Sequence, residues 1–246
     1  MRAAAPPLLE IAANSPASAF AAEQAGAARV ELCASLAEGG VTPSYAAIAL
    51  ARERLRIPLY VLIRPRGGDF LYDELELETM RRDVEACVRL GCDGVVLGAL
   101  DADGEVDRAR CRELIVAAGP LGVTFHRAID LARDAARALE DAIALGCERV
   151  LTSGGAATAA DGAERIRALL TQAAGRIVVM PGAGIDAGNV AALRRRTGAR
   201  EFHASAKRAL ASRMRHRPPR LVEMQAGEVR SDGAEIRRLL AALAAG

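Results

Sequence analysis

Apolar residues along this chain gather into eight short runs, and between the runs they recur at three- or four-residue intervals. Four runs share one lead-in, a glycine, a small residue and two mostly polar residues: "AGAARVELC", "LGCDGVVLG", "LGCERVLTS" and "TGAREFHAS". The other four are "LLEIAA", "PLYVLIRP", "GVTFHRA" and "RIVVMPG". Short apolar runs bounded by Gly and Pro read as buried strands, and the longer periodic stretches as helices with one apolar face. The recurring lead-in makes the chain a repeat of one strand-helix unit.

Capping residues stand where each helix should open, because their side chains satisfy the free N–H groups of a first turn. Ser15 precedes Pro16, Thr42 precedes Pro43, Asp73 has Glu76 three residues on as a capping box, and Asp107, Asp134, Thr158 and Asp186 open the next four. Gly26, Gly91, Gly146 and Gly198 suit the left-handed position that ends a helix. Near-continuous apolar strands in strict alternation with helices imply a parallel sheet covered by helices. Eight such units predict a (β/α)8 TIM-type α/β barrel, with a doubly wound open sheet as the alternative. The chain reads as one domain over 1–246: a core over about 8–207, then a C-terminal extension over 208–246. That extension is read as irregular from Ala206 to Ser231, with a final helix from about Asp232 to Ala244.

Composition narrows the function classes. A chain of 246 residues that is 51% hydrophobic can bury a large core, and 33 basic against 31 acidic residues leave a net charge of only +2. With 3% aromatic residues there are few platforms for stacking bases, so no nucleic-acid partner is expected. The basic cluster "RMRHRPPR", Arg213 to Arg220, reads as a solvated loop. The five cysteines are odd in number and contain no CxxC pair, which fits reduced thiols in a cytoplasmic protein. The first residues make a poor signal peptide, and no stretch approaches the roughly 18 apolar residues of a membrane span.

Chemistry should gather where the strands end. Aligning the four related strands puts Glu31 level with Val96, Leu151 and His203, and Cys33 level with Gly98, Ser153 and Ser205. Side chains two apart share a face, and charge sits poorly against a helix layer, so Glu31, Cys33, His203 and Ser205 are expected to point into the barrel mouth. The other strands add Glu10, Asn14, Arg64, Arg66, His126 and Arg127, with Asp130 just beyond. Glu31, Arg64, His126 and His203 are the candidate catalytic set, since co-located buried ionisable groups shift one another's proton affinities. A buried ion-pair network of Glu10, Glu31 and Arg64 that merely fills the barrel is the plainer alternative.

The last two units carry a separate feature. "PGAGIDAGN" brings Gly182 and Gly184, and "HASAK" brings Ser205 and Lys207. Loops after strands seven and eight of barrels often hold phosphate through backbone N–H groups, so these residues, with Arg66, are candidate anion ligands. No nucleotide cofactor is expected, because a dinucleotide fingerprint should follow the first strand with an acidic residue about 20 positions on.

"RVELCASLAEGGVTPS", "IRPRGGDFLY", "GCDGVVLGALDADGEVD", "VTFHRAID", "RVLTSGG", "RIVVMPGAGI" and "EFHASAK" together resemble the CutC family, in order from about Leu9 to Lys207. The resemblance implies a cytoplasmic TIM-like barrel, a homodimer, and a role in copper homeostasis with Cys33 as a Cu(I) ligand. Cu(I) prefers two or more soft ligands. A site on Cys33 would therefore recruit His126, His203 or a second protomer, since alternation turns Met180 away from the mouth. The alternative function is an enzyme acting on a small phosphorylated or anionic molecule, with His126 or Glu31 as general acid or base and Arg64 and Arg66 as anion clamps.

Overall fold

The computed structural model describes residues 6–218, 220 and 226–245. Eight parallel strands form the core: β1 Leu8–Ala13, β2 Arg29–Leu32, β3 Leu59–Leu62, β4 Gly94–Leu97, β5 Gly122–Phe125, β6 Arg149–Thr152, β7 Val178–Pro181 and β8 Glu201–Ala204. The sheet runs β7-β6-β5-β4-β3-β2-β1-β8, so β1 pairs with both β2 and β8 and the sheet curls into a nearly closed TIM-type barrel. A doubly wound sheet would not bring β8 back to β1. The seam lies between β7 and β8, which share no ladder.

Seven helices alternate with the strands: α1 Pro16–Ala25, α2 Tyr45–Arg54, α3 Glu74–Leu90, α4 Arg108–Ala118, α5 Ala135–Ala144, α6 Ala163–Ala173 and α7 Val190–Thr197. Ser15, Asp107 and Asp134 cap as expected, and Asp73 and Glu76 form the complete capping box. Three starts differ. Ser44 caps α2, while the Thr42 hydroxyl instead accepts from the Arg64 N–H at 2.8 Å. Thr158 and Asp186 each close a turn that precedes α6 and α7 rather than capping the helix itself. A capping side chain only requires N–H groups two or three residues ahead, which a turn supplies as well as a helix does.

The extension is more regular than its sequence implied. Lys207–Leu210 (β9) pairs antiparallel with Glu228–Ser231 (β10), and α8 spans Gly233–Ala245. Pro219 and residues 221–225 of this stretch lie outside the described residues; Arg213, Arg215, Arg217 and Arg220 are exposed. Asn14, expected at the mouth, donates to the Val229 carbonyl at 2.7 Å and accepts from Ser18, so it fastens this hairpin to the barrel. No described helix is long and apolar enough to cross a membrane.

The barrel interior is layered by the register. Glu10 sits opposite Arg29 on one side and His203 on the other, and Glu31 lies opposite Ala12, one layer nearer the strand ends. Below the mouth the interior is an ion-pair network rather than a hydrocarbon plug. Arg29 bonds Glu10 and Glu201, and Arg149 bonds Glu201 and Glu148, with both guanidiniums 5.3 Å from the centre of the Tyr60 ring. Gly94 makes room for that ring, because a Cβ there would stand 2.1 Å from it.

Candidate functional site

The mouth holds a cavity of about 440 Å³ whose walls include Glu31, Cys33, Glu38, Arg64, Phe70, His126, Arg127, Asp130 and His203. The predicted convergence is therefore present for Glu31, Cys33, Arg64, His126 and His203. Glu10 lies one layer beneath, fully buried, and reaches the group through His203.

His203 and Glu31 form its chemical centre. The Glu10 carboxylate accepts from His203 Nδ1 at 2.7 Å on one oxygen and from Arg29 on the other. Burial alone would raise the Glu10 carboxyl, but Arg29 and His203 hold it down at about 2. Glu10 therefore stays ionised and fixes the His203 proton on Nδ1, which leaves Nε2 as the free ring nitrogen. Burial pushes the neighbouring Glu31 carboxyl up to about 7, against the pull of His203 and Arg29 and helped by repulsion from Glu10. Its Oε2 is buried with no hydrogen-bond partner among the described residues. Burial also opposes a charge on His203, yet Glu31 and Glu10 outweigh it and raise its proton affinity. Ligand atoms of Glu10, Glu31 and His203 lie within 4.8 Å of one another. Arg29, which also bonds Glu201, already offsets part of the negative charge there.

His126 occupies different surroundings. It is 4% exposed, packs with its ring centre 4.6 Å from that of Phe70, and its Nδ1 accepts from the Ala128 N–H at 3.2 Å. Burial, then the Arg64 charge, lowers its pKa to about 3, so it is neutral across the physiological range. Its Nε2 is buried and unpartnered among the described residues.

The two arginines predicted as clamps have other work. Arg64 spends its guanidinium on the carbonyls of Glu38, Gly40 and Gly68 at 2.8, 2.8 and 2.6 Å, which locks the loops after β2 and β3 to each other. Arg66 bonds Glu76 at 2.5 Å and Asp69 at 3.1 Å and does not line the cavity. Asp130 is likewise an anchor: it accepts from the backbone N–H groups of Ser153 and Gly155 and from the hydroxyls of Thr152 and Ser153. The protein's own carboxylate fills that cradle of donors and fixes the "HRAID" loop.

Gly184, Ser205 and Lys207 line a second cavity of about 470 Å³, which shares Arg127 and His203 with the first. Lys207 is exposed and opens β9. Gly182 does not line this cavity; a Cβ there would stand 2.5 Å from Leu151, so its role is close packing inside the barrel. Asp186 and Glu235 also line the cavity, so its two cations face two carboxylates.

The residues that sequence reasoning missed are Arg29, Arg149 and Glu201. They occupy the first position of the same aligned strands that placed Glu31 level with His203, so the signal was one step down the register already in use.

Comparisons with known proteins agree with the fold. The model of the CutC family matches residues 7–208. A "family protein CutC" of Xylella fastidiosa (strain Temecula1) is 61% identical over 238 residues, covering 97% of this chain and 89% of its own. One from Bacteroides thetaiotaomicron is 50% identical over 209 residues, covering 85% and 84%. The crystal structure of a Streptococcus agalactiae protein, provisionally named a copper homeostasis protein CutC, superposes with a TM-score of 0.78 at 34% identity over 81% of this chain and 98% of that one. Thiamine phosphate pyrophosphorylase from Pyrococcus furiosus, at 15% identity and a TM-score of 0.61 over 96% and 95%, shares the fold alone. The match across the whole barrel and the identity to full-length relatives make this chain a member of the CutC family.

Proposed function

We propose that this protein is an acid/base catalyst acting on a small polar molecule held in the cavity at the barrel mouth. The observation that carries the reading is the pairing of Glu31 with a Glu10-oriented His203. A carboxyl raised toward neutrality beside an imidazole whose proton affinity is also raised can give and take a proton at physiological pH. His203 acts through Nε2, and Glu31 through its unpartnered oxygen. Glu10 and Arg29 are positioning residues. An anionic group on the same molecule would extend into the adjoining cavity toward Ser205 and Lys207.

Copper handling, the role carried by the family's naming, draws less from these residues. Cys33 is 1% exposed, and burial, with Glu31 beside it, pushes its thiol well above the ordinary range, so the thiolate that Cu(I) requires is disfavoured. No second sulfur lines the cavity among the described residues. Met180 lies deeper, where its sulfur accepts from Arg29 at 3.4 Å. Within one chain Cys33 is the sole sulfur at the mouth among the described residues, so a Cu(I) site there would rest on His126 or His203 as partner, or on a ligand from a second copy.

The test is a panel of small carbonyl, hydroxy and phosphorylated compounds incubated in D2O with the protein and followed by proton NMR for loss of C–H signal or conversion. At least one member should react, and Glu31→Gln and His203→Asn should each slow it by about 10²–10⁴-fold. A panel with no reacting member, or variants as active as the wild type, would contradict the reading.

A further inference from the structure

The mouth contains a second imidazole that the acid/base pair does not use. The Ala128 N–H points at His126 Nδ1, 3.2 Å away, so that nitrogen must be the acceptor. A neutral ring with an accepting Nδ1 carries its hydrogen on Nε2. That N–H is buried and has no acceptor among the described residues, although the ring lines the cavity. A buried donor without a partner destabilises the fold, and a catalytic or binding role is one reason such a group is kept.

The surroundings hold this tautomer in place. Phe70 lies against one face of the ring, and Gly98 makes room at its edge, where a Cβ would fall 2.8 Å from Nδ1. Arg64 and Arg127 bring positive charge and Asp130 negative charge, the latter spent on Arg127 and the loop after β6. The barrel thus places an uncharged N–H donor in the wall of the mouth cavity, on a different strand from either Glu31 or His203.

From this we infer that the substrate is a carbonyl compound with a hydrogen on the adjacent carbon, that His126 Nε2–H holds its carbonyl oxygen, and that the reaction proceeds by enolisation. The inference rests on the acid/base reading above and adds the substrate class. Glu31 or His203 Nε2 takes the proton from carbon. The C–H electron pair becomes the C=C bond, and the carbonyl π pair moves onto the oxygen facing His126. The proton is then returned to the same carbon; where that carbon bears a hydroxyl, it can instead go to the former carbonyl carbon, the hydroxyl proton passing to the former carbonyl oxygen as the new C=O forms. No oxidant, reductant or second substrate is consumed. A donor N–H fixed at the oxygen stabilises the negative charge that develops there as the enolate forms.

The experiment labels histidine with 15N; the chain has only three, so each tautomer is resolvable. His126 should show an Nε2–H tautomer that does not titrate between about pH 5 and 9, and its signal should shift on adding acetohydroxamate, a planar enediolate mimic. In the D2O panel, exchange should be confined to compounds with a C–H beside a carbonyl. It should fall about 10²–10³-fold in His126→Phe and recover in part in His126→Gln, which restores a neutral N–H donor. An Nδ1–H tautomer at His126, titration in the ordinary range, or a hydroxamate response at His203 without one at His126 would overturn this inference while leaving the acid/base pair standing. Exchange of non-carbonyl members alone would overturn the substrate class. Loss of exchange in Glu31→Gln without any effect in His126→Phe would have the same meaning for His126.

Discussion

Two histidines stand at the mouth of one barrel, and their surroundings make them opposites. His203 donates a hydrogen bond from Nδ1–H to an ionised Glu10, and with Glu31 nearby its proton affinity is raised. His126 receives a backbone N–H on the same ring atom, has no carboxylate bonded to it, and loses its charge to burial and Arg64. The same side chain thus becomes an ionisable group in one place and a fixed neutral donor in the other. The partner of Nδ1, rather than the residue type, decides which.

The change expected to matter most strikes the layer under His203. Arg29→Met leaves the fully buried Glu10 carboxylate without its guanidinium and Glu201 with Arg149 alone, and should cost about 3–5 kcal/mol by urea denaturation. Arg66→Met, at a half-exposed pair, should cost no more than about 1 kcal/mol. Equal losses would show that the ion-pair layer is not what supports the mouth.

Acid should then distinguish the two histidines. The folded-state pKa of His126 lies at about 3, below its ordinary value of 6.5, so the unfolded chain binds a proton that the folded one refuses. Its contribution is fully present above about pH 6.5 and is lost progressively toward pH 3. Glu10, held at about 2, adds a loss that begins lower, from about pH 4.5 down to 2. In stability curves over pH, His126→Phe should remove the His126 loss in the upper window, leaving there the opposite slope of the raised Glu31 carboxyl, and keep the lower loss. A variant whose curve keeps the wild-type shape would show that His126 is not buried neutral.

How these residues were or were not visible in the sequence follows from what fixes them. Strand number, helix positions and the level of Glu31 with His203 come from local periodicity and from a repeat, and both are written in adjacent residues. The opposed tautomers are not, because they depend on Glu10, which reaches His203 only through the strand ladder, and on the turn that folds the Ala128 N–H back onto His126 within its own motif. Arg64 and Arg66 read as clamps from their place at a strand end. A guanidinium with several donors instead binds whatever carbonyls or carboxylates the loops bring near, and loop paths are the least periodic part of the chain. The β9–β10 pair went unseen for the related reason that a short exposed strand needs its partner to exist.

Smaller effects test the periphery. A ligand at a hundredfold excess over its Kd stabilises the folded state by about 2.7 kcal/mol. Phosphate or a small sugar phosphate should therefore raise the melting temperature where chloride at equal ionic strength does not, and Lys207→Ala should reduce the shift. An identical response in that variant would mean the second cavity does not hold the anion. If copper binds at all, Cys33→Ser should abolish Cu(I) retention against a chelator under reducing conditions and Cys92→Ser should not; full retention by the Cys33 variant would remove that thiol as the ligand.

The central claim, that Glu31 and a Glu10-oriented His203 both have raised proton affinities and so can exchange protons with a bound molecule near neutral pH, is read most directly by titration. Glutamate labelled at the carboxyl carbon and histidine labelled at nitrogen would be followed by NMR across pH in the wild type and in Glu10→Gln. Glu31 should titrate far above the ordinary carboxylate value of about 4.3, and His203 above the ordinary imidazole value of about 6.5. His203 should fall in Glu10→Gln, since its hydrogen-bonded charge is gone. Ordinary values for both groups in the wild type, or a His203 titration that Glu10→Gln leaves in place, would contradict the account.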